Sequence, residues 1–342
     1  MDEFSPYPGV LRRSYNWTVM TTPSVESLIA DIRQVTGGAP VVVAFSGGLD
    51  SSTVAALARE ALGAPNVLLV TVNMGDYAYR RGNQIVLEMA EQLGLPQRCL
   101  LGQKMQHEVQ HGGPACNRCT REIKLGLVRA AARGRLVLTG SNRSDTWGQM
   151  GVKVNSGLYA PLLHLDKPQI RDIADRLGLV IPRIGEHSGR EGCKLKHLLK
   201  PLIDPGYHGR AVADANEVLL SLLSDAGVAA TLANVKIAGP RTRNIALVNV
   251  RPAPAEDLKT RIIAALAALP SVDEVRFIDG PTRLVVRAGP ALTGDEKARF
   301  WVHHGRLAPD FAYPVNVQWL PGRDGRLHTF HVLDAIPESA SA

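Results

Sequence analysis

Apolar runs at 41–45, 67–72 and 136–139 alternate along the chain with amphipathic stretches at 52–62, 82–93 and 121–133. Short apolar runs of this kind read as buried strands, and the 3.6-residue spacing between them reads as helices. The alternation predicts an α/β fold: a parallel sheet with helices on both faces. Ligands in such a sheet sit at the carboxyl ends of the strands, near a switch in strand order. Met74-Gly75 and Gly140-Ser141-Asn142, each following a strand, are expected to wall one crevice. Downstream, Asp166 and Pro168 read as the cap and first turn of a helix that Gly178 ends, and 211–226 reads as a further helix.

After Ala238-Gly239-Pro240 the pattern changes. Strand signals at 245–250, 275–278, 283–287 and 314–320, with helical ones at 255–268 and 294–303, give the order β-α-β-β-α-β. That order predicts a smaller C-terminal α+β domain, ferredoxin-like, with an antiparallel sheet. The expected layout is an N-terminal arm over 1–20, a larger domain over 21–237, the small domain over 238–335 and a tail over 336–342.

The junction between the first strand and the first helix reads Ala-Phe-Ser-Gly-Gly-Leu-Asp-Ser-Ser-Thr, residues 44 to 53. A buried strand entering a glycine turn that opens a helix lets backbone N–H groups converge on an anion, with the positive end of the helix dipole behind them. The loop lacks the Gly-Lys-Ser/Thr ending of the Walker type, so no lysine from it reaches a γ-phosphate. It carries Asp50 instead. A carboxylate beside phosphates is repelled unless a divalent cation lies between them, so Mg2+ is expected with the nucleotide.

Composition adds bounds. At 342 residues and 45% hydrophobic content the chain can build two cores, and no apolar run reaches the length of a membrane span. No secretory signal is evident at the start, and four cysteines suit a reducing compartment, so a cytoplasmic protein is expected. A formal charge of +7 favours an anionic partner, either a nucleotide or RNA. Arg190, Lys194, Lys196, His197 and Lys200 gather around Cys193 and are candidates for an anionic substrate contact.

Cys116-Asn117-Arg118-Cys119 places two thiols within reach of one centre, and Cys193 is a third candidate. Three readings are open: an iron–sulfur cluster on the three thiolates, a zinc site that adds His197, or a redox pair carrying persulfide sulfur. Cys99 reads as a small buried hydrophobe.

The stretch Ser46-Gly47-Gly48-Leu49-Asp50-Ser51-Ser52 closely resembles the pyrophosphate-binding loop (PP-loop) of the N-type ATP pyrophosphatases. That superfamily includes tRNA thiolation enzymes, GMP and NAD synthetases, argininosuccinate synthetase and deazaguanine nitrile synthases. The resemblance implies an adenine nucleotide alpha hydrolase-like fold and ATP cleaved between its α- and β-phosphates through a substrate adenylate. It implies that Ala44, Phe45, Ser46, Gly47, Gly48, Asp50, Ser51, Ser52, Met74 and Gly140 hold ATP, with Asp50 near Mg2+.

Cys-Asn-Arg-Cys-Thr-Arg-Glu-Ile-Lys, followed by Thr139-Gly140-Ser141-Asn142-Arg143-Ser144-Asp145, resembles the cluster-dependent tRNA thiolation enzymes. Ser141 stands where those usually have histidine, and only Asp145 remains of their acidic pair. This second resemblance implies that Cys116, Cys119 and Cys193 ligate a [4Fe–4S] cluster. The expected activity is an ATP-dependent sulfurtransferase acting on a tRNA nucleobase or a small carbonyl metabolite. Sulfur would come from a cysteine desulfurase or free sulfide, with AMP and pyrophosphate released. Asp145 and Lys124 are the candidates for proton transfer and charge stabilisation, and a homodimer is compatible with the sequence. The alternative is a zinc-containing ligase of the same superfamily that forms an amide or nitrile with ammonia.

Overall fold

The computed structural model describes residues 23–145, 152–182, 192–322 and 325–338. The expected N-terminal arm, Arg190 and the end of the tail lie outside those residues. The central strand β1 (Val41–Ala44) lies in a six-stranded sheet with β2 (Val67–Asn73), β3 (Gln97–Leu101), β4 (Val137–Leu138), β5 (Val154–Asn155) and β6 (Leu158–Tyr159). The order is β3-β2-β1-β4-β6-β5. Every pairing is parallel except β5 with β6, a hairpin turned by Ser156 and Gly157 at positive φ.

Successive valines of β1 serve opposite faces, as the period of two requires. Val41 and Val43 pack with α1 (Val25–Thr36), α2 (Leu49–Leu62) and α3 (Arg80–Leu93). Val42 packs the other way, with Val70, Val128, Ala132 and Val137. On that face, after α4 (Gln103–Gln110) in the chain, α5 (Cys116–Cys119) runs through a π-type turn, Thr120–Leu125, into α6 (Gly126–Ala132). A parallel sheet covered on both faces is the predicted α/β architecture. The strand order reverses between β1 and β4, so the loop after β1 opens at the switch point. Among the described residues no helix is long and apolar enough to cross a membrane.

One boundary and one burial expectation are corrected. Helix α2 begins at Leu49 with Gly48 as its N-cap, three residues before the start at 52 that the apolar spacing gives. Asp50, Ser51 and Ser52 therefore belong to the first helical turn, where unpaired N–H groups concentrate. Cys99 is exposed, because β3 is the sheet edge.

The last third departs further from expectation. Its elements are β7 (Leu232–Ala238), β8 (Ile245–Arg251), α9 (Glu256–Ala267), β9 (Glu274–Phe277), β10 (Thr282–Ala288), α10 (Glu296–Val302), β11 (Val315–Pro321) and β12 (Phe330–Pro337). They form two three-stranded sheets, β7-β8-β9 and β11-β10-β12, in place of one antiparallel sheet. The cause is two strands the pattern did not reveal. β7 pairs antiparallel with β8, and β12 antiparallel with β10, so each remaining pair, β8–β9 and β10–β11, is free to align in parallel.

The segment after Cys193 stitches these sheets together. Leu199 N–H donates to the Ile237 carbonyl of β7 at 2.9 Å, and its own carbonyl accepts from Val332 N–H of β12 at 2.8 Å. Helix α8 (Arg210–Asp225) and strands β7 and β8 share a core with Met74, Tyr77 and Ile123, so the second region packs directly beneath the carboxyl edge of the first sheet.

Candidate active site

At the switch point the chain folds tightly around Ser46. Its N–H donates to Ser51 Oγ at 3.2 Å, the two hydroxyls meet at 3.0 Å, and Ser51 Oγ donates to the Gly48 carbonyl at 3.2 Å. Gly47 holds φ at +76°, and a Cβ there would lie 2.9 Å from the Val86 Cα, so a side chain is excluded by both conformation and space. Gly140 is pressed onto the start of α2: its Cβ would fall 2.8 Å from Asp50 Cβ and 3.1 Å from Ser51 N. Alanine at 140 must push the two loops apart. We expect Gly140→Ala to cost about 1–3 kcal/mol of stability and to weaken binding of an ATP analogue. Denaturant melts and nucleotide titration check this; a variant unchanged in both would mean the loops yield without consequence.

Asp50 has two unlike oxygens. Oδ2 accepts from Asn142 Nδ2 at 3.2 Å and is ion-paired with Lys167. Oδ1 is buried and has no hydrogen-bond partner. A buried carboxylate oxygen left unpaired is costly, and a divalent cation is the partner that the phosphate chemistry supplies. The residues present therefore fit Mg2+ at Oδ1. Lys167 opens α7 (Lys167–Arg176), whose Asp166 caps Gln169 N–H in a full capping box. The sequence read that segment as a helix start only, so Lys167 was missed as a site residue. The signal was a lysine at the first turn of a helix whose N-terminus faces the crevice.

A cavity of about 820 Å3 opens above these strand ends, within the roughly 300–1,000 Å3 of small-molecule sites. Ala44, Phe45, Ser46, Met74, Gly140, Asp145, Lys124 and Cys193 all line it. Gly47, Gly48, Asp50, Ser51 and Ser52 lie behind that wall, in the turn and helix start, and are not among its lining residues. Tyr79, Asn117, Arg118 and Arg121 also line it, none singled out from the sequence. Asp145 Oδ2 accepts from Asn142 N–H at 3.0 Å, so one asparagine positions both carboxylates.

The cysteines do not form the expected centre. Cys119 and Cys193 share the Gln106 amide, whose Nε2 lies 3.5 and 3.4 Å from their sulfurs. Burial pushes both thiols up from their ordinary range, with the Lys124 ammonium pulling the other way. Cys116 does not share that amide and accepts from Arg306 Nη1 at 3.0 Å, on the wall of a separate cavity. Among the described residues no group of three His, Cys, Asp or Glu is arranged to hold a metal. That leaves both the [4Fe–4S] and the zinc arrangements without support, and His197 instead meets Tyr79 OH at 3.0 Å.

The basic cluster is corrected too. Lys194 is buried on Glu217 at 2.8 Å and on the Asp76 carbonyl at 2.9 Å. Lys200 is buried among backbone acceptors. Both work inside the fold rather than on a ligand.

Comparison with known proteins bears on the chemistry. The sequence profile of the family described as NAD synthase matches residues 22–184. An NH(3)-dependent NAD(+) synthetase of Thermococcus kodakarensis is 32% identical over 176 residues, covering 46% of this chain and 64% of that protein. One from Pyrococcus horikoshii is 28% identical over 165 residues, covering 45% and 63%. A glutamine-hydrolysing GMP synthase of Pseudomonas putida is 41% identical over 76 residues, 22% of this chain and 14% of that protein. The chain thus spans less than two thirds of the synthetases it matches. These relatives overturn the expected sulfur transfer to tRNA: those named are NH(3)-dependent or glutamine-hydrolysing synthetases, and closeness to thiolation enzymes is not shown. In its fold, its Ser46–Ser52 turn and these relatives the chain is similar to the N-type ATP pyrophosphatase superfamily.

Proposed function

We propose that this chain is an ATP-dependent, amide-forming ligase that activates a carboxylate as its adenylate and lets ammonia displace AMP. The observation that carries the nucleotide half is the division of Asp50, with Oδ2 held by Lys167 and Asn142 and Oδ1 buried and unpaired beside the loop. The nitrogen half rests on the likeness of residues 22–184 to NAD synthases and NH(3)-dependent synthetases.

In the first step a carboxylate oxygen attacks the α-phosphorus, the bond to the β-phosphate oxygen breaks, and pyrophosphate leaves toward the N–H groups at the start of α2. Asp50 Oδ1 would hold Mg2+, which when bound would neutralise charge on the phosphates. In the second step the ammonia lone pair attacks the acyl carbon, AMP departs with the bridging oxygen, and one proton is lost. Asp145 lines the cavity, which supports it as the group that takes that proton. Arg118, Arg121 and Lys124 line the same wall and balance the charge of nucleotide and acid.

The acid counterpart of NAD(+), carrying a carboxylate where NAD(+) has its carboxamide, is the first substrate to try. Pyrophosphate release should require ATP, Mg2+ and the acid together. Product analysis with 15N-ammonium should then show one nitrogen incorporated per AMP formed. AMP formation with no nitrogen in the product, under saturating ammonium and across a panel of acids, refutes the amidation reading.

A further inference from the structure

A second cavity, about 710 Å3, lies between the loop that precedes α5 and the entry to β12. The two walls approach closely: His328 N–H donates to the Gly112 carbonyl at 2.8 Å, and a Cβ on Gly113 would fall 2.3 Å from Thr329 Oγ1. Arg306, just beyond α10, completes the enclosure. Three arginines (Arg118, Arg306 and Arg326) line this space against one carboxylate, Glu108, among the described residues. Arg118 already has Glu122 at 2.9 Å.

Arg306 is the unusual member. Its Nη1 donates to Cys116 Sγ at 3.0 Å, a weak acceptor for a charged donor. Its Nε and Nη2 are buried with no hydrogen-bond partner, and so is Thr329 Oγ1, which lines the same cavity. Nε and Nη2 share one edge of the guanidinium, so their N–H bonds run parallel, at the spacing of two oxygens of a carboxylate or phosphate. Buried donors normally have partners, and a charged, preorganised pair without one marks the place of a missing acceptor.

We propose that this edge of Arg306 is the anchor of a second ligand site. It takes an oxyanion group, phosphate or carboxylate, and Thr329 Oγ1 donates to the same group. A small turn of the guanidinium toward the cavity, pivoting on Cys116, brings the edge onto the anion. Asn117 and Arg118 line both cavities, so a ligand anchored at Arg306 would share a wall with the first cavity. The site stands apart from the proposed amidation and does not depend on it.

The test uses the full chain with Mg2+ and a nonhydrolysable α,β-methylene analogue of ATP filling the first cavity. Inorganic phosphate and acetate are titrated calorimetrically in separate arms. Saturable binding of phosphate identifies a phosphate site, and saturable binding of acetate alone identifies a carboxylate site. Either supports the proposal provided that Arg306→Gln weakens it at least about tenfold, the worth of a bidentate charge-assisted pair. Thr329→Val should weaken it about threefold. Analogue binding by each variant certifies its fold. If Arg306→Gln fails to fold, Arg306→Lys, which keeps the charge and loses the parallel edge, carries the same comparison. No saturable binding of either anion, or equal binding by wild type and variants, overturns the site.

Discussion

Replacing Asp50 by Asn should lower pyrophosphate release by about 10^3-fold, the scale on which one preorganised electrostatic group acts on a transition state. The substitution keeps the shape of the side chain and removes its charge. Oδ2 would no longer hold Lys167 as an ion pair, and Oδ1 would no longer serve a cation. Asparagine also gives Asn142 Nδ2 a poorer acceptor, or turns an NH2 group against it. Because Asn142 N–H also steadies Asp145, the disturbance reaches the second carboxylate.

Two mechanisms can be separated by experiment. If Asp50 serves the cation, the Mg2+ concentration giving half-maximal rate rises in the variant. If Asp50 chiefly orients Lys167, Lys167→Gln reproduces the loss without moving the Mg2+ dependence. A loss smaller than about tenfold in Asp50→Asn, with the fold intact by thermal melt, would remove Asp50 from the reaction.

The strand, turn and helix start around Ser46 were largely legible in the sequence because local rules built them. A β-branched run, two glycines and a hydroxyl-rich helix start dictate a strand, a turn and an anion-seeking helix N-terminus without help from distant residues. The Asp166, Pro168 and Gly178 punctuation of α7 worked for the same reason. What failed was long-range. β7 hides as a strand because Asn234 and Lys236 interrupt its apolar run. Both are buried, Asn234 donating to the Asp310 carbonyl at 2.9 Å and Lys236 lying over the Phe311 ring. Once β7 and β12 were missed, a single antiparallel sheet was the natural reading of the remaining order.

The cysteines failed for a related reason. Spacing puts Cys116 and Cys119 on one turn, yet spacing cannot report that Arg306, far along the chain, takes the first sulfur while Gln106 takes the other two thiols. A resemblance carried by spacing pointed to sulfur chemistry, and the relatives found along 22–184 point to nitrogen.

The largest stability effect should come from Lys200, which no catalytic argument touches. It is almost fully buried where the stitching segment passes between β7 and β12. Its Nζ donates to the Pro240 carbonyl at 2.5 Å, the Arg243 carbonyl at 2.9 Å and Asn244 Oδ1 at 3.1 Å, tying down the loop that joins β7 to β8. Methionine fits the space and satisfies none of these acceptors. Stranding these three buried acceptors should cost about 3–5 kcal/mol in urea unfolding, at roughly 1–3 kcal/mol for each acceptor left without a donor.

The pH dependence gives a second readout with a definite sign. Burial pushes the Lys200 ammonium down from its usual 10.5 to about 7, with the Asp273 carboxylate opposing. Between about pH 7 and 10.5 the unfolded chain therefore holds a proton that the folded chain has released, and the contribution of Lys200 to stability rises with pH through that window. The neighbouring His208 and His331 do not blur the measurement. Burial lowers both from 6.5, His331 to about 4, so both are already neutral above pH 7. The stability gap between wild type and Lys200→Met should accordingly widen from about pH 7 to 9. A gap that stays level or narrows would show that the three acceptors hold the proton on Lys200 against burial. A total loss below about 1 kcal/mol would show that the β7–β8 loop keeps its place without it.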